Sequence, residues 1–438
     1  FYALPYLPDS SVYFSRTHDA PGAVWLDSGQ PKASSGRFDI CSAWPTASIS
    51  LNSGISLSEA FNQARELLQQ LPQEASPIPD LPFTGGLIGY LGYHGAFASS
   101  RHSSQFPQAC IGLYPWAFIS DHQTQRSGLI FHSSLSVEEQ QRLLYLFQEP
   151  APPTSNFFRI KHSFIPEIDS QQYQAAIESV HAHIRQGVCE QINYTQAFST
   201  EYTGDPWNAY KSLREGCPTP YASFFRLSPT EAILSASPEC FLQVNQQEIK
   251  TWPIKGTRPR GATPEEDARL AFELKNSEKD NAENLMILEL MLQELAPLCV
   301  PDSLHTPERC QLYSFSNVHH LISCISGTLQ KQYDALDALA NSFPAGSISG
   351  TPKPASLALI DKLEACARDI YCGTIFYLSN HGRFDSSVCI RTLQAFQGTL
   401  RCWGGGGITL ASDWKAEYQE SIDKVRILMQ TLEHNHLA

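Results

Sequence analysis

The sequence contains no apolar run long enough to cross a membrane. Its first residues, Phe1-Tyr-Ala-Leu-Pro-Tyr6, do not have the pattern of a signal peptide. Its 12 cysteines are scattered between Cys41 and Cys402 without a Cys-x-x-Cys or a regular spacing, which argues against a zinc site and a disulfide framework. We therefore expect a cytoplasmic protein that binds no membrane and keeps its thiols reduced and mostly buried.

Basic residues are also scarce. The chain has 31 lysines and arginines but 44 acidic residues, which gives a formal net charge of −13. Nucleic acid is not an expected partner, since phosphate backbones need a basic surface. An anionic substrate would need positive groups concentrated in one place, against the overall field. The chain also has no Walker loop, no Ser-His-Asp or Cys-His signature and no recognisable glutaminase nucleophile motif.

The content of hydrophobic residues, 42% of 438, is typical of a globular protein with a sizeable core. Proline density marks a linker or long loop at Glu149–Asn156. This boundary suggests an N-terminal subdomain at 1–150 and a catalytic region at 157–438, intertwined in one compact unit. Hairpin-length connections outnumber crossover-length ones, so we expect a mixed α/β (α+β) fold with mainly antiparallel strands.

Hydrophobic periodicity and end signals place the main elements. Asp169 and Ser170 are expected to cap a helix that ends at Gly187. The other predicted helices are Ser58–Leu71, Pro264–Lys275, Asp280–Leu295, Lys353–Cys366 and Lys415–Leu432. The predicted strands include Leu26–Ile40, Leu87–Gly92, Gly112–Ile119, Gly373–Ser379, Ser387–Gln394 and Leu400–Trp403.

One lysine and one glutamate are candidates for chemistry. Glu239 precedes two short strands around a polar turn at Asn245–Glu248, and Lys255 follows them. Folding this hairpin about its centre brings the two side chains within about one residue of being cross-strand neighbours. A carboxylate beside an amine could serve as acid and nucleophile, and Gly256 would leave room for a ligand.

Two helices carry the same acidic spacing. Asp280 and Glu283 share one face of the first, and Glu417 and Glu420 share one face of the second, with Lys424 a turn further on. Carboxylates that converge from two helices suit Mg²⁺, which prefers oxygen ligands. Each pair alone is also what a solvent-facing side of an amphipathic helix looks like.

Other segments could bind an anion. The run Trp403-Gly-Gly-Gly-Gly-Ile408 could gather backbone N–H groups into a nest, or be a flexible loop. Gly346-Ser-Ile-Ser-Gly-Thr-Pro-Lys353 leads directly into a helix and could present its N-terminal amides. Arg391 could pair with a carboxylate or lie in a surface ion pair. His320 could move a proton or be a satisfied core histidine.

Taken together and in this order, the motifs resemble those of the chorismate-utilising enzymes, and within that family the branch that leads to para-aminobenzoate. The resemblance covers nearly the whole chain. Its markers are Ser237-Pro-Glu239, Pro253-Ile-Lys-Gly-Thr257, Asp280-x-x-Glu283-Asn-Leu-Met286, His319-His-Leu321, Gly346–Lys353, Ile390-Arg-Thr392, Gly405-Gly-Gly-Ile408 and Glu417-x-x-Glu420.

The resemblance implies a large sandwich of two antiparallel sheets flanked by helices. It implies that Glu283 and Glu420, supported by Asp280 and Glu417, bind Mg²⁺, which holds the ring carboxylate of chorismate. The carboxylate of the enolpyruvyl arm would be held by Tyr377, Arg391, Lys424 and the amides of Gly405, Gly406 and Gly407.

Two positions separate the branches of this family. Related isochorismate and salicylate synthases carry a water-activating lysine where this chain has Gln191, and anthranilate synthases carry alanine where it has Lys255. By resemblance, Lys255 adds to ring carbon 2 while Glu239 protonates the leaving 4-hydroxyl, with His320 assisting. Ammonia from a separate glutamine amidotransferase subunit then attacks carbon 4 and gives 4-amino-4-deoxychorismate. The alternatives are an anthranilate synthase component I and a silent chorismate-binding paralogue.

The resemblance also implies a candidate tryptophan pocket in the N-terminal half. Its neighbourhood is Ser28, Ser35, Gly36, Arg37, Phe38, Pro220, Tyr221 and Ala222. One departure concerns the helix after Glu283, where relatives usually have Asp-Leu-x-Arg-Asn-Asp and this chain has Glu289-Leu-Met-Leu-Gln-Glu294. A local polar network, the amidotransferase interface or activity itself depends on what replaces that pattern.

Overall fold

The computed structural model describes the chain except residues 34, 52–55, 75, 77, 79, 97–99, 103, 151–156, 316–317 and 438. Most of the linker predicted at Glu149–Asn156 therefore lies outside the described residues. Its helices are α1 (Ser11–Phe14), α2 (Leu57–Leu68), α3 (Val137–Gln148), α4 (Ser170–Arg185), α5 (Pro206–Gly216), α6 (Pro264–Lys275), α7 (Glu278–Leu295), α8 (Ala335–Ser342), α9 (Lys353–Leu363) and α10 (Trp414–His436).

The strands of the first half are β1 (Tyr2–Leu4), β2 (Val24–Asp27), β3 (Phe38–Ser42), β4 (Ala47–Leu51), β5 (Gly86–Leu91), β6 (Ala109–Tyr114), β7 (Trp116–Asp121), β8 (Arg126–Phe131), β9 (Phe158–Ile160), β10 (Ile165–Pro166), β11 (Gln191–Gly204) and β12 (Tyr221–Ser228). Those of the second half are β13 (Glu231–Ser237), β14 (Cys240–Asn245), β15 (Glu248–Thr251), β16 (Ile254–Pro259), β17 (His305–Ser314), β18 (Val318–Thr328), β19 (Gly350–Thr351), β20 (Thr374–Ser379), β21 (Phe384–Val388), β22 (Thr392–Phe396) and β23 (Thr399–Ile408).

These strands form two antiparallel sheets. The first sheet has the order β1-β8-β7-β3-β2-β12-β13-β22-β23-β11-β10, with β9 and β19 also paired to β11. The second has the order β16-β18-β15-β14-β21-β20-β5-β6-β4, with β17 paired to β18. Both sheets combine strands from before and after residues 151–156, so each is completed only by both parts of the chain.

Three apolar cores explain why the two sheets stack. Val24, Phe225 and Ile233 of the first sheet meet Tyr90 and Ile375 of the second in a core between them. Neighbouring residues on the same strands point outward, where each sheet is covered by helices, α5 and α10 on the first and α2, α7 and α8 on the second. Burial on both faces accounts for strands that are apolar at successive positions. The expected two-sheet sandwich is confirmed.

Three predicted strands are each divided in the structure. The segment Leu26–Ile40 contains a turn between β2 and β3, and Gly112–Ile119 is cut at Pro115, where the chain passes from β6 in one sheet to β7 in the other. A proline lacks the N–H that a continuous strand would need. Ser387–Gln394 is divided at Arg391, whose positive φ of 49° ends one sheet's strand before the other's begins.

Several local predictions are confirmed. Asp169 caps α4 by accepting hydrogen bonds from the backbone N–H groups of Gln171 and Gln172. The 12 cysteines are free thiols, and none of them is fully exposed. Within the described part of the chain, no helix combines the length and apolarity that a membrane span requires.

A buried ion pair joins α9 to the first sheet. Arg368 and Glu364 are almost fully buried and make two hydrogen bonds, of 2.8 and 2.6 Å. Arg368 also donates to the carbonyl oxygens of Ile348 and Asn193, at 3.0 and 2.6 Å. Glu364 accepts from the backbone N–H and the hydroxyl of Thr195. The two side chains thus satisfy backbone groups on β11 and on the turn before β19.

We predict that Arg368→Met lowers the free energy of unfolding by about 3–5 kcal/mol, because it leaves the Glu364 carboxylate buried without its cation. Equilibrium urea denaturation measures this loss. Arg269→Met is the matched control, since Arg269 forms an exposed pair with Glu273 at the same i,i+4 spacing and should change stability by about 0.5 kcal/mol or less. Equal losses in the two variants would contradict the prediction.

Candidate functional site

The hairpin of β14 and β15 sets the position of Glu239 and Lys255. Gln243 pairs with Lys250 and Asn245 with Glu248, so the turn lies where the sequence predicts it. Continuing this register places Glu239 opposite Ile254, and its carboxyl group accepts a hydrogen bond from the Ile254 N–H. Lys255 is the next residue, so the expected proximity of the glutamate and the lysine is confirmed.

Burial dominates the electrostatics of Glu239. The residue is only 4% exposed, and removing its carboxylate from water raises the pKa to about 7. Three groups oppose this rise: the Ser347 hydroxyl, which donates to Oε1 at 2.9 Å, the charge of Lys255 and the Ile254 N–H. Glu239 therefore holds a proton at a pH where an ordinary glutamate has lost it.

Lys255 has the opposite shift. Burial of its amine lowers its pKa, Glu283 raises it, and Lys424 lowers it further. Among the described residues no oxygen lies within hydrogen-bonding or ion-pair distance of its Nζ. An amine that is partly desolvated and not committed to a carboxylate is suited to nucleophilic attack.

Gly256 serves packing within the chain. It has a φ of 85°, which favours glycine, and a Cβ there would meet Asp280 and Leu274 at 3.0 Å. The expectation that this glycine clears space for a ligand is therefore wrong, because α6 and α7 occupy that space. The glycine instead lets the lysine strand lie directly against these helices.

The four-glycine run is part of a regular strand, so the expected nest-like loop is wrong. Gly404–Gly407 continue β23 and pair with β11 from Gln196 to Asn193. On its other edge, β23 pairs with β22 only as far as Cys402. The backbone groups of the glycines on that edge are consequently not used by a neighbouring strand.

Glycine in this strand lets α10 approach it closely. A Cβ at Gly404 would overlap the backbone oxygen of Ser421 in α10. A Cβ at Gly406 would lie 3.2 Å from Glu417 and 3.3 Å from Glu420 and Lys424. A Cβ at Gly407 would overlap the Gln191 amide, and Gly405 faces the backbone of β11. The acidic residues, the lysine and the glycines expected to form one site thus share one end of β23.

The candidate metal ligands are only partly free to bind a cation. Glu283 Oε1 is buried, accepts no hydrogen bond from a described residue and lies 3.9 Å from the ammonium group of Lys279. Glu417 receives one hydrogen bond, from Ser412 at 2.7 Å. Glu420 pairs with Lys424 at 2.7 Å, and Asp280 pairs with Arg258 at 2.9 Å. In the part of the chain that is described, no three His, Cys, Asp or Glu side chains come close enough to hold a metal ion together.

The donor chemistry of this cluster nevertheless fits a hard cation. The charges of Glu283 and Glu420 both raise the pKa of Lys255. Carboxylates from α7 and α10 therefore lie close to the same lysine. Glu283 Oε1, which has only a long ion pair with Lys279 and accepts no hydrogen bond from the described residues, is the kind of group that a cation satisfies. Asp280 fits less well, because Arg258 already neutralises its charge.

Arg391 and His320 line a small cavity of about 50 Å³ together with Ser35, Pro220 and Ile254. His320 is 5% exposed and bonds Thr257 through Nδ1 at 2.9 Å; burial lowers its pKa to about 4. Arg391 makes no side-chain hydrogen bond or ion pair to any described residue. The small cavity is therefore lined by a neutral histidine and by a guanidinium group that is not ion-paired with a described residue, and Ile254 lines it too.

A larger cavity of about 690 Å³ lies between the two sheets. Seven of the eight residues predicted for a tryptophan pocket line it: Ser35, Gly36, Arg37, Phe38, Pro220, Tyr221 and Ala222. Ser28 does not line it, and its hydroxyl instead donates to the buried Asp39 at 2.7 Å. Tyr377 also lines this cavity, opposite Asp385 in the strand register, and not the end of β23 where Lys424 lies.

Two features of the site region had no clear signal in the sequence. In the Gly346–Lys353 segment, a candidate anion site by its sequence, Ser347 contacts Glu239, a contact that no sequence pattern indicates. The Glu364–Arg368 pair that anchors this segment has the spacing of an ordinary surface pair. In the stretch of α7 whose sequence differs from that of the relatives, Glu294 forms a mostly buried ion pair with Lys353. This ion pair connects α7 to the start of α9.

We predict that Gly404→Ala lowers the free energy of unfolding by about 1–3 kcal/mol, because the new methyl group must displace the backbone of α10. Gly406→Ala is the matched control and should cost clearly less, since its methyl group meets the ends of flexible side chains. Thermal and urea denaturation of both variants measure the difference. A larger loss for Gly406→Ala would contradict this account of the packing.

Comparison with known proteins agrees with this arrangement. Residues 22–430 match the family model described as chorismate binding enzyme. The chain is 38% identical to aminodeoxychorismate synthase component 1 of Klebsiella aerogenes over 98% of both proteins, and 37% identical to that of Escherichia coli over 97% of this chain and 96% of the relative. Anthranilate synthase component I of Streptococcus pneumoniae superposes with a TM-score of 0.80 at 28% identity, covering 90% of this chain and 92% of that one. The chain therefore belongs to the family of chorismate-binding enzymes.

Proposed function

We propose that this protein aminates chorismate at ring carbon 4 and releases 4-amino-4-deoxychorismate, as the names of its bacterial relatives suggest. The observation that carries the proposal is the uncommitted amine of Lys255 beside a glutamate whose pKa is about 7. Both pKa shifts are in the direction that the reaction needs, toward an unprotonated amine and a protonated acid.

In the first half of the proposed reaction, the Lys255 amine forms a bond to carbon 2 of chorismate. Both ring double bonds shift by one position, from C1=C2 and C5=C6 to C1=C6 and C4=C5, and the bond from carbon 4 to its hydroxyl breaks. Glu239 donates the proton with which the hydroxyl leaves as water. The neutral His320 lines the same small cavity as Ile254, the residue before Lys255. It would assist by accepting a proton or a hydrogen bond.

In the second half, ammonia forms a bond to carbon 4, both double bonds shift back and the bond from carbon 2 to Lys255 breaks. Lys255 leaves as the neutral amine, and the new ammonium group on carbon 4 returns one proton to the Glu239 carboxylate. Chorismate plus ammonia has then become aminodeoxychorismate plus water, with both side chains restored. We propose that ammonia comes from a glutamine amidotransferase subunit, because a relative called component 1 implies a second component.

Charge complementarity supports the placement of the substrate. Arg391, Lys424 and the backbone amides of Gly405 and Gly407, which face the free edge of β23, would hold the enolpyruvyl carboxylate, which needs such a cluster in a chain of net charge −13. The Gly406 amide, also expected there, faces β11 instead, because N–H groups alternate between the two edges of a strand. Tyr377 remains a candidate for that carboxylate, although its position favours the larger cavity.

Mg²⁺ is proposed as the cofactor. Glu283, Glu417 and Glu420 would hold it, with Asp280 in support once Arg258 releases it. When bound, the cation would supply positive charge for the ring carboxylate of chorismate. The buried oxygen of Glu283, which accepts no hydrogen bond from the described residues, supports this assignment.

Tryptophan is proposed as a ligand of the larger cavity. The cavity's volume, about 690 Å³, exceeds what an indole side chain needs, and its wall combines Phe38 with the guanidinium group of Arg37 and the carboxyl group of Asp385. An aromatic amino acid would bury its ring there and pair its charged ends with such side chains.

Anthranilate synthesis is the second candidate, because a solved structure with this fold carries that name. That reaction would place the amine at carbon 2 and eliminate pyruvate. Lys255 distinguishes the two, since a lysine that bonds to carbon 2 blocks the position where anthranilate carries its nitrogen.

We predict that incubation with chorismate and Mg²⁺ without ammonia produces a covalent adduct, detected as a mass increase of the intact protein. The adduct should be absent from Lys255→Ala and present in the control Lys250→Ala, a lysine of the same hairpin that pairs with Glu248. With ammonium added, the wild type should form aminodeoxychorismate, identified by chromatography and mass spectrometry.

Other outcomes would contradict the proposal. An adduct that persists in Lys255→Ala would remove this lysine from the nucleophilic role. Anthranilate as the main product would favour the second candidate, and a wild-type protein that binds chorismate without converting it would favour a silent paralogue.

We predict that Glu239→Gln slows adduct formation by about 10²–10⁴-fold, because it removes the acid. In the wild type the rate should fall as the pH rises through about 7, where Glu239 loses its proton. Stopped-flow absorbance at several pH values measures this decrease in rate, the alkaline limb of the pH–rate profile. A Glu239→Gln protein with the wild-type rate would exclude the glutamate as the acid.

The same group makes a stability prediction that is independent of activity. The folded-state pKa of about 7 lies above the ordinary value of 4.5, so the contribution of Glu239 to stability is complete below about 4.5 and is lost as the pH rises through 7. Glutamine does not titrate. The melting temperature of Glu239→Gln relative to wild type should therefore increase between pH 5 and pH 8, and a constant difference would contradict the raised pKa.

A further inference from the structure

A serine lies in contact with the proposed acid. Ser347 belongs to a short 3₁₀ turn, Gly346–Ile348. Its hydroxyl donates a hydrogen bond of 2.9 Å to Oε1 of Glu239. The two residues are 108 positions apart in the sequence, and both are buried, at 7% and 4% exposure. A buried carboxyl group has few partners, so each one constrains its rotation strongly.

We propose that Ser347 is the positioning residue of Glu239. Its hydroxyl hydrogen fixes Oε1 as an acceptor, so that the proton to be donated is carried by Oε2. The inference rests on the proposed role of Glu239 as the acid and adds the group that selects which of its oxygens acts.

The turn that carries Ser347 is anchored on both sides. The carbonyl oxygen of Ile348 accepts a hydrogen bond of 3.0 Å from Arg368, and that of Ser349 accepts one of 2.7 Å from the Asn193 N–H of β11. A Cβ at Gly346 would lie 3.0 Å from Leu290, so the turn packs directly on α7. The hydroxyl is consequently held by backbone that cannot drift away from Glu239 without breaking these contacts.

The protonation of Glu239 depends on few neighbours. The charged or titratable groups that face it among the described residues are Lys255 on β16 and the thiol of Cys240 on β14. Besides them, the Ser347 hydroxyl and the Ile254 N–H both stabilise the ionised carboxylate. Removing the serine hydroxyl therefore favours the protonated form and at the same time frees the carboxyl group to rotate.

The experiment compares Ser347→Ala and Ser347→Thr with the wild type by the rate of adduct formation between pH 5 and pH 9. Ser347→Ala should be about tenfold slower, as expected for one lost hydrogen bond to a reacting group, and its alkaline limb should move to higher pH. Ser347→Thr keeps the hydroxyl and should restore the wild-type limb. Ser342→Ala is the control, because this serine is also buried but its hydroxyl has no hydrogen-bond partner among the described residues.

The possible results separate the inference from the proposed function. A wild-type rate and limb in Ser347→Ala would overturn the inference, as would a slower rate with an unmoved limb, which indicates a merely structural role. If Ser347→Ala is poorly folded, the limb of Ser347→Thr and the pH dependence of its melting temperature decide the question: an unchanged profile supports the inference and a shifted one overturns it. Failure of the proposed function would appear separately, as full activity of Glu239→Gln.

Discussion

The buried pair of Glu364 and Arg368 is the interaction on which the site depends most. The two charges neutralise each other in the core. Glu364 also accepts a hydrogen bond from the Thr195 N–H, and Arg368 donates to the carbonyl oxygens of Asn193 and Ile348. Thr195 and Asn193 pair with the glycine strand, and Ile348 follows the serine that contacts Glu239. One ion pair therefore fixes both the strand proposed to bind the substrate and the turn proposed to position the acid. Removing either charge would leave the other unpaired in the core, where that costs most.

Glycine determines how close the acidic helix comes to the strand. With side chains at Gly404 and Gly406, α10 would stand further from β23, and Glu417, Glu420 and Lys424 would no longer face its free edge. Packing and chemistry impose the same requirement here, since the missing side chains admit the helix and also leave backbone amides accessible. The same residues would serve less well in a flexible loop, which would have to be ordered when the ligand binds.

The sequence predicts what is local and misses what depends on the other sheet. The bounds of α6 agree residue for residue, and the β14–β15 turn lies where its polar residues indicate. Periodicity could not reveal that Gly112–Ile119 changes sheets at Pro115, because both strands are apolar on both faces. It could not show that the glycines extend a strand, since glycine has low strand propensity and only pairing with β11 holds it there. Glu364 and Arg368 have the spacing of a surface pair, and only their tertiary surroundings make them a core element.

The acid and the nucleophile are governed by one physical effect with opposite consequences. Burial disfavours charge on both, so it raises the pKa of Glu239 and lowers that of Lys255. Their mutual attraction acts the other way and would produce an ion pair, in which the amine is protonated and the carboxylate has no proton to give. Burial is the larger influence on each group, so each pKa is shifted toward the uncharged form, the neutral amine and the protonated acid. A more exposed hairpin with the same two residues would therefore form a salt bridge and lose the chemistry, which makes the depth of the site as important as the identity of Lys255.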